Sequence, residues 1–182
     1  MRFNDEIYLK QYYELKQFPK IHDDIFYLCQ KLKGKHTAID LGCCFGLLAK
    51  RLLFVFDKVI GIESNTNYLE KAINCSKIKY YNIEVNMKTL SQLEQIIKKY
   101  KVDILVARRV IPELYETGGE ELLYFFKKTI YNSGINYIVL EGRKSNANAV
   151  NPLSTIEKEV KVFLDLYEIQ EQYRNCILLR RK

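Results

Sequence analysis

Between residues 37 and 140 the sequence alternates short, nearly continuous apolar runs with longer segments of helical character. The apolar runs cover residues 37–41, 58–62, a stretch within 78–85, 102–107 and 135–140. Strands that are apolar on both faces are typical of parallel sheets covered by helices, because each parallel connection needs a crossover. The alternation therefore predicts an α/β fold with five parallel strands.

The segments between these runs, and the chain before residue 37, are predicted to be helices. The predicted helices cover residues 5–18, 21–32, 47–56, 65–74, 90–100 and 119–131. Pro19 is expected to separate the first two, and Asn65 is a favourable N-cap residue for the fourth. In the last, Leu122, Phe125 and Phe126 are expected to face the core.

After residue 140 the pattern changes. Ile156, Val160 and Phe163 mark one more helix, and strand-like runs follow at residues 166–173 and 176–180. Only two residues separate these runs, and a connection that short can only be a hairpin. The prediction is a three-layer α/β/α fold around a seven-stranded sheet, mostly parallel, with a reversed C-terminal hairpin. A chain of 182 residues suits one domain, in which we expect residues 1–34 to form an N-terminal helical segment and 35–182 the core.

Charge and cysteine content narrow the function classes. The formal net charge is +7, but the basic residues are spread along the chain, so composition alone does not require a nucleic-acid partner. No apolar run is long enough to cross a bilayer, and the first residues do not read as a secretory signal. The five cysteines are odd in number and contain no CxxC, which argues against a disulfide framework or a zinc site. We therefore expect a soluble, cytoplasmic protein without a metal and without a membrane partner.

The most specific local feature is the segment from Asp40 to Gly46, which reads Asp-Leu-Gly-Cys-Cys-Phe-Gly and leads from the first strand into a helix. A carboxylate at a strand end, a turn bounded by Gly42 and Gly46, and a helix N-terminus together form a cofactor cradle. Glu63 ends the second strand 17 residues after Gly46, where a carboxylate can accept from both hydroxyls of a ribose. The turn lacks the G-x-G-x-x-G pattern of nicotinamide-binding enzymes, and Asp40 suits an ammonium group better than a pyrophosphate.

These segments resemble the motifs of class I S-adenosylmethionine-dependent methyltransferases. Residues 40–46 look like the first motif of that family, and residues 59–63, Val-Ile-Gly-Ile-Glu, look like its second-strand motif. The seven-strand inventory with its terminal hairpin also resembles the family's Rossmann-like sheet, and the likeness runs from about residue 35 to the C-terminus. The resemblance implies an enzyme that uses S-adenosyl-L-methionine, releases S-adenosyl-L-homocysteine and needs no metal.

The resemblance also implies roles for individual residues. Asp40 would lie near the methionine ammonium, and Glu63 would hold the ribose hydroxyls. The other implied contacts are Gly42, Cys43 and Gly46 around the methionine and ribose, Asn86 or Met87 beside the adenine, and Ala107 and Arg108 beneath the sulfonium.

Two positions depart from the family's pattern. Cys44 stands where many members have a central glycine. The family's acid near the end of strand three has three competing counterparts, Asn82, Glu84 and Asn86, and the sequence leaves the choice open.

The predicted acceptor side is rich in arginine. Arg108 and Arg109 follow the fourth strand and Arg143 follows the fifth, and ligands of open α/β sheets lie beyond these strand ends. Guanidinium groups match carboxylates and phosphates, so these residues favour an anionic acceptor, unless they pair with neighbouring glutamates instead.

Three further residues are candidates on the acceptor side. Glu113 is a candidate catalytic polar group near the acceptor. Tyr12 and Tyr13 belong to the N-terminal segment, which in this family often folds over the cofactor as a lid.

The expected function is methyl transfer to a small, anionic molecule by direct displacement at the sulfonium carbon, which needs alignment more than acid–base chemistry. One alternative is an RNA methyltransferase, which the net charge and the arginines favour. Another is a catalytically silent subunit that binds the cofactor or serves as a scaffold, which Cys44 and the altered third strand favour. The motifs of base-specific DNA methylation are absent from the sequence.

Overall fold

Seven strands form one mixed sheet at the centre of the computed structural model, which describes residues 10, 17–32, 34, 37–144 and 151–182. The strands are β1 (Thr37–Leu41), β2 (Lys58–Glu63), β3 (Ile78–Asn82), β4 (Ile104–Arg108), β5 (Tyr137–Glu141), β6 (Tyr167–Tyr173) and β7 (Cys176–Arg181). Their spatial order is β3-β2-β1-β4-β5-β7-β6. This order reverses on either side of β1, which creates a crevice between β1 and β4.

The pairing of the strands confirms the predicted topology. β1 is parallel to both of its neighbours, with Leu41 opposite Ile62 of β2 and Ala107 of β4. β7 is antiparallel to β5 and to β6, so the last two strands form the predicted hairpin. The pairing also fixes the end of β3, where Asn82 lies opposite Glu63.

Helices cover both faces of the sheet. They are α1 (Gln17–Gln30), α2 (Leu47–Leu52), α3 (Thr66–Glu70), α4 (Leu90–Tyr100), α5 (Ile111–Asn132) and α6 (Ile156–Lys161). Asn65 caps α3 as predicted, because its side-chain oxygen accepts from the N–H of Asn67 at 3.0 Å. Pro19 lies inside α1 rather than between two helices, and most of the helix predicted at residues 5–18 falls outside the described residues.

Helix α5 differs most from the sequence-based prediction. It begins at Ile111, eight residues before the predicted start, and continues through a kink at Gly118 and Gly119, where the backbone leaves helical geometry. The predicted inward orientation of Phe125 is wrong, since its side chain is 42% exposed while Phe126 is fully buried. Among the described residues no helix has the length and apolar character that a membrane span requires.

Two apolar clusters lie on opposite faces of the sheet. Alternate residues of β1 enter different clusters: Ile39 packs with α4, α5 and α6, whereas Ala38 packs with α1 and α2. This follows from the two-residue period of a strand. Because both faces are covered, ligands reach the sheet only at its ends.

Tyr80 fills the space between the sheet and the start of α2. A Cβ on Gly46 would overlap the Tyr80 hydroxyl, and a Cβ on Gly61 would lie 2.6 Å from the Tyr80 ring and 2.8 Å from the sulfur of Cys43. The Tyr80 hydroxyl donates to the carbonyl of Ile73 at 3.0 Å, which fixes the ring. Two glycines thus make room for one tyrosine beneath the turn that follows β1.

Replacing Gly46 with alanine is therefore expected to destabilise the fold by about 2–4 kcal/mol, because the methyl group meets Tyr80 and the backbone has φ 74°. Gly134→Ala is the matched control: its φ is 92° but no atom lies within 4 Å of the new Cβ, so we expect a loss of only about 1 kcal/mol. Urea unfolding measures both. Adding Tyr80→Phe should recover part of the Gly46→Ala loss, and equal losses for the two glycines would contradict this packing.

Candidate active site

The turn after β1 is built from left-handed backbone. Gly42, Cys44 and Gly46 have φ values of 73°, 50° and 74°. Cys44 therefore adopts the geometry that glycine adopts most easily, at a cost of about 1 kcal/mol or more. The N–H groups of Gly42 and Cys43 both donate to the carbonyl of Ile62, at 2.8 and 3.1 Å, which anchors the turn to β2.

Glu63 joins this turn to the next one. Its Oε2 accepts from the N–H of Cys44 and its Oε1 accepts from the N–H of Asn65, both at 2.9 Å. The Ser64 hydroxyl lies 3.4 Å from the same Oε1. A carboxylate oxygen can accept more than one hydrogen bond. The half-buried Glu63 thus keeps acceptor capacity for a ligand while it holds two turns in place.

Asn82 links the end of β3 to the turn that follows β2. Its amide donates to the carbonyls of Glu63 and Ser64 at 3.1 and 3.0 Å, and its oxygen accepts from the Thr66 hydroxyl at 3.2 Å. Among the three residues that the sequence left open, Asn82 is the one whose described contacts reach the Glu63 turn.

Asn86 and Met87 lie in the turn that follows β3. The Asn86 side chain accepts from the N–H of Lys88 at 3.0 Å, and its amide lies 3.4 Å from the carboxylate of the exposed Glu84. Met87 is 45% exposed. Their contact with an adenine stays a prediction.

Asp40 is the second-last residue of β1, just before the glycine-bounded turn, and is only 1% exposed. Burial raises its pKa to about 7, although Arg108 and a hydrogen bond from the N–H of Ala49 oppose this rise. Its Oδ2 has no hydrogen-bond partner among the described residues. An unsatisfied buried carboxylate oxygen is costly, and a cationic donor would satisfy it best.

The end of β4 forms the other side of the crevice. Ala107 is buried beside Leu41, and the half-buried Arg108 is near enough to Asp40 to influence its pKa. A Cβ on Gly42 would lie 2.6 Å from Cγ2 of Val110, so the β4–α5 turn packs directly against the cradle.

The predicted arginines do not share one environment. Arg109 has a left-handed backbone (φ 58°), its N–H donates to the carbonyl of Glu141 at 2.9 Å, and its Nη2 lies 3.5 Å from the Glu141 carboxylate. Arg143 is exposed beyond β5. Arg109 thus pairs with a neighbouring glutamate, the alternative that the sequence left open, whereas Arg143 faces solvent.

Glu113 lies in the first turn of α5. The side chain is exposed, but neighbouring protein atoms partly desolvate its carboxyl and raise the pKa, and the nearby carboxylates of Glu63 and Glu116 raise the pKa further. Tyr12 and Tyr13 lie outside the described residues. In the part of the chain that is described, no three His, Cys, Asp or Glu side chains are grouped to hold a metal ion.

Sequence reasoning missed Glu159, which is 1% exposed on α6. Its Oε1 would lie 2.5 Å from a Cβ on Gly142, so its carboxyl packs against the backbone that follows β5. Burial raises its pKa to about 8, assisted by Glu141 and opposed by Arg109. The sequence did indicate that Glu159 could be buried, since it lies three residues after Ile156 on the apolar face of the helix.

The sheet order, the glycine-bounded turn after β1 and the acid at the end of β2 define the fold of class I S-adenosylmethionine-dependent methyltransferases, and solved structures confirm this fold. No protein-family model and no curated protein sequence matches the chain.

Three solved structures show the extent of the similarity. KedS8, a sugar N-methyltransferase from Streptoalloteichus sp ATCC 53650, has a TM-score of 0.68 and 8% identity over 100% of this chain and 94% of its own. The N-methyltransferase NodS from Bradyrhizobium japonicum WM9, in complex with S-adenosyl-L-homocysteine, has a TM-score of 0.62 and 13% identity over 90% and 85%. The bifunctional kinase-methyltransferase WbdD has a TM-score of 0.59 and 10% identity over 91% of this chain but 39% of its own.

Glu159→Gln is expected to change how stability depends on pH. The ordinary pKa of 4.5 rises to about 8 in the folded protein, so the folded state holds this proton more tightly. The free energy of unfolding therefore falls as the pH rises from about 4.5 to about 8. Glutamine cannot ionise, so at pH above 8 the free energy of unfolding of the variant should exceed that of the wild type by on the order of 5 kcal/mol.

Urea unfolding across this pH range tests the prediction. Glu157→Gln, which replaces an exposed glutamate of the same helix, should leave the pH dependence unchanged. Identical pH slopes for the wild type and Glu159→Gln would show that Glu159 does not carry the proton.

Proposed function

We propose that this protein is an S-adenosylmethionine-dependent methyltransferase that acts on a small molecule. One observation carries the proposal: the buried Asp40 and the half-buried Glu63 lie at the same end of neighbouring strands. One oxygen of Asp40 has no hydrogen-bond partner within the described part of the chain, and Glu63 is bonded to two turns. A ligand with an ammonium group and a ribose matches this pair. The N-methyltransferases NodS and KedS8, which share the fold, support the proposal.

The residues present fit this cofactor. Asp40 would accept from the methionine ammonium, whose charge would stabilise the ionised carboxylate. The free acceptor site of Glu63 would take one ribose hydroxyl, and rotation of the Ser64 hydroxyl, 3.4 Å away, would free a site for the second. Around them, we assign Gly42, Cys43 and Gly46 to the methionine and ribose, Asn86 or Met87 to the adenine, and Ala107 and Arg108 to the floor beneath the sulfonium.

The bound cofactor supplies a methyl group on a positively charged sulfur, which is open to direct attack by a nucleophile. The chain then has to align the acceptor, exclude water and, where the acceptor is protonated, take up a proton. Glu113 is the candidate for the last role, because its raised pKa makes it a better proton acceptor than an ordinary glutamate.

The acceptor is proposed to be a small molecule, because the N-methyltransferase KedS8, which the chain covers almost completely, is a sugar N-methyltransferase. The anionic character that the arginines favour is retained as a proposal for Arg108 and Arg143, whereas Arg109 is engaged with Glu141.

Removing the Glu63 carboxylate should weaken cofactor binding. Glu63→Ala loses the acceptors for the ribose and for the N–H groups of Cys44 and Asn65, so the affinity for S-adenosyl-L-homocysteine is expected to fall at least about tenfold. Isothermal titration calorimetry on both proteins measures this change.

Glu70→Ala is the matched control, since Glu70 is an exposed glutamate at the end of α3. Its affinity should equal that of the wild type. Unchanged binding in Glu63→Ala would contradict the assignment of the site. A wild type that binds neither S-adenosyl-L-methionine nor S-adenosyl-L-homocysteine would contradict the proposed function. Binding without turnover on any acceptor would favour a silent subunit.

Cofactor binding should also depend on pH through Asp40. Its pKa of about 7 means that the carboxyl gains a proton as the pH falls below 7 and then no longer attracts an ammonium group. The affinity for S-adenosyl-L-homocysteine is expected to fall below pH 7 by at most about tenfold per pH unit. Asp40→Asn should bind weakly at all pH values between 5.5 and 8. A pH dependence in this variant equal to that of the wild type would contradict the role of Asp40.

A further inference from the structure

The carboxyl end of β5 holds a charged cluster that the proposed cofactor site does not use. Glu141 ends the strand, and Glu159 packs from α6 against the backbone of Gly142. Both glutamates are 1% exposed, and the Oε2 atom of each has no hydrogen-bond partner among the described residues. Buried carboxylate oxygens are normally satisfied, so these two mark a place where a donor is missing.

The cluster has few direct cationic contacts, although Arg108, Arg109 and Arg143 all lie near enough to Glu141 to lower its pKa. Among the described contacts only Arg109 reaches a carboxylate, and its Nη2 is 3.5 Å from Glu141, at the limit of a hydrogen bond. The Nε of Arg109 is itself without a partner among the described residues. Arg143 is close enough to affect both acids but is exposed. In direct contacts of the described residues, the two buried acids therefore share one guanidinium, that of Arg109, at 3.5 Å from Glu141.

When no further cation is present, a bound proton neutralises one of the two buried carboxylates. Burial and the neighbouring Glu141 favour the neutral form of Glu159, while Arg109 and Arg143 oppose it, with a resulting pKa of about 8. Glu159 thus holds its proton at neutral pH, and an incoming cation would have to displace that proton.

The cluster lies next to the proposed cofactor site, on the side where the methyl acceptor would bind. Glu141 lies opposite Arg108 of β4, and β4 in turn lies beside β1 and its cradle. Two strand spacings separate Glu141 from the cradle, which is about 10 Å. Ligands of open α/β sheets bind beyond these strand ends.

We propose that Glu141 and Glu159 bind a protonated amino group of an acceptor whose anionic group lies at Arg108 and Arg143, and that the amino group displaces the guanidinium of Arg109 from Glu141. The inference rests on the proposed methyltransferase function, because it assigns the acceptor side of that site. Arg109 is the proposed point of entry, because its side chain is 34% exposed and lies against the carboxylate of the buried Glu141.

Calorimetric titration of the full chain with two matched pairs of probes tests the proposal. The pairs are ethanolamine with ethylene glycol, and glucosamine with glucose; in each pair a hydroxyl replaces the amino group. We expect at least one amine to bind at least about tenfold more tightly than its partner. Repeating the titration at pH 7 in phosphate and in HEPES, which differ in ionisation enthalpy and contain no primary amine, should show release of a proton approaching one per amine.

Four variants separate binding from a structural role. Glu141→Gln and Glu159→Gln should each weaken amine binding at least about tenfold, and Glu159→Gln should abolish proton release. Glu157→Gln should behave as the wild type. Arg109→Met removes the competing cation, so it should strengthen amine binding severalfold. If the cluster had only a structural role, the same substitution would leave the affinity for the amine unchanged or lower it.

The proposal is overturned if neither amine binds the wild type better than its hydroxyl partner, or if amine binding survives both glutamine substitutions. Affinity for S-adenosyl-L-homocysteine, measured on the same samples, should be unchanged in Glu141→Gln and Glu159→Gln. Cofactor binding without amine binding would therefore defeat this inference alone, and absence of cofactor binding in the wild type would defeat the proposed function.

Discussion

One carboxylate, that of Glu63, holds the candidate site together. It accepts backbone N–H groups from the turn after β1 and from the turn after β2, at 2.9 Å each. Without these bonds the left-handed turn at Cys44 would lose the partner that offsets its strain, and the start of α3 would lose an anchor. The same carboxylate is proposed to bind the cofactor ribose, so the geometry of the cradle and its affinity depend on one side chain. A ligand would find this acceptor already oriented, which lowers the entropic cost of binding.

The sheet could be predicted from the sequence because its strands are apolar on both faces and alternate with helices. The two-residue gap before Cys176 likewise determined the reversed hairpin, and all seven strands were found. The cradle was found for a similar reason: its glycines and its acids are neighbours in sequence. The start of α5 was missed because the Gly118–Gly119 pair interrupts the helical period, although Pro112 near the helix N-terminus is favourable there. The orientation of Phe125 was predicted wrongly because no residue of that helix showed which of its two adjacent phenylalanines faces the core.

The parts that escaped prediction depend on contacts between distant residues. Nothing local shows that Tyr80 fills the space left by Gly46, or that Asn82 turns back to the carbonyl of Glu63. The buried acids illustrate the same limit. Glu159 lies on an apolar helix face, which could be noticed, but its proximity to Glu141 and Arg109 follows only from the packing of α6 on β5. The sequence left open whether the arginines pair with neighbouring glutamates, and only the fold shows that Arg109 has Glu141 as its acidic neighbour.

The raised pKa values of the buried acids also bear on the charge of the whole molecule. The formal value of +7 counts every aspartate and glutamate as ionised at pH 7. With pKa values of about 7 for Asp40 and about 8 for Glu159, one of these carboxyls is about half neutral and the other mostly neutral at that pH. The ligand-free protein is therefore more cationic than its composition indicates. Its electrophoretic mobility and its nonspecific attraction to polyanions would both exceed what the residue count suggests. An amine cation that displaces the proton of Glu159 would leave this excess unchanged, because one positive charge replaces another.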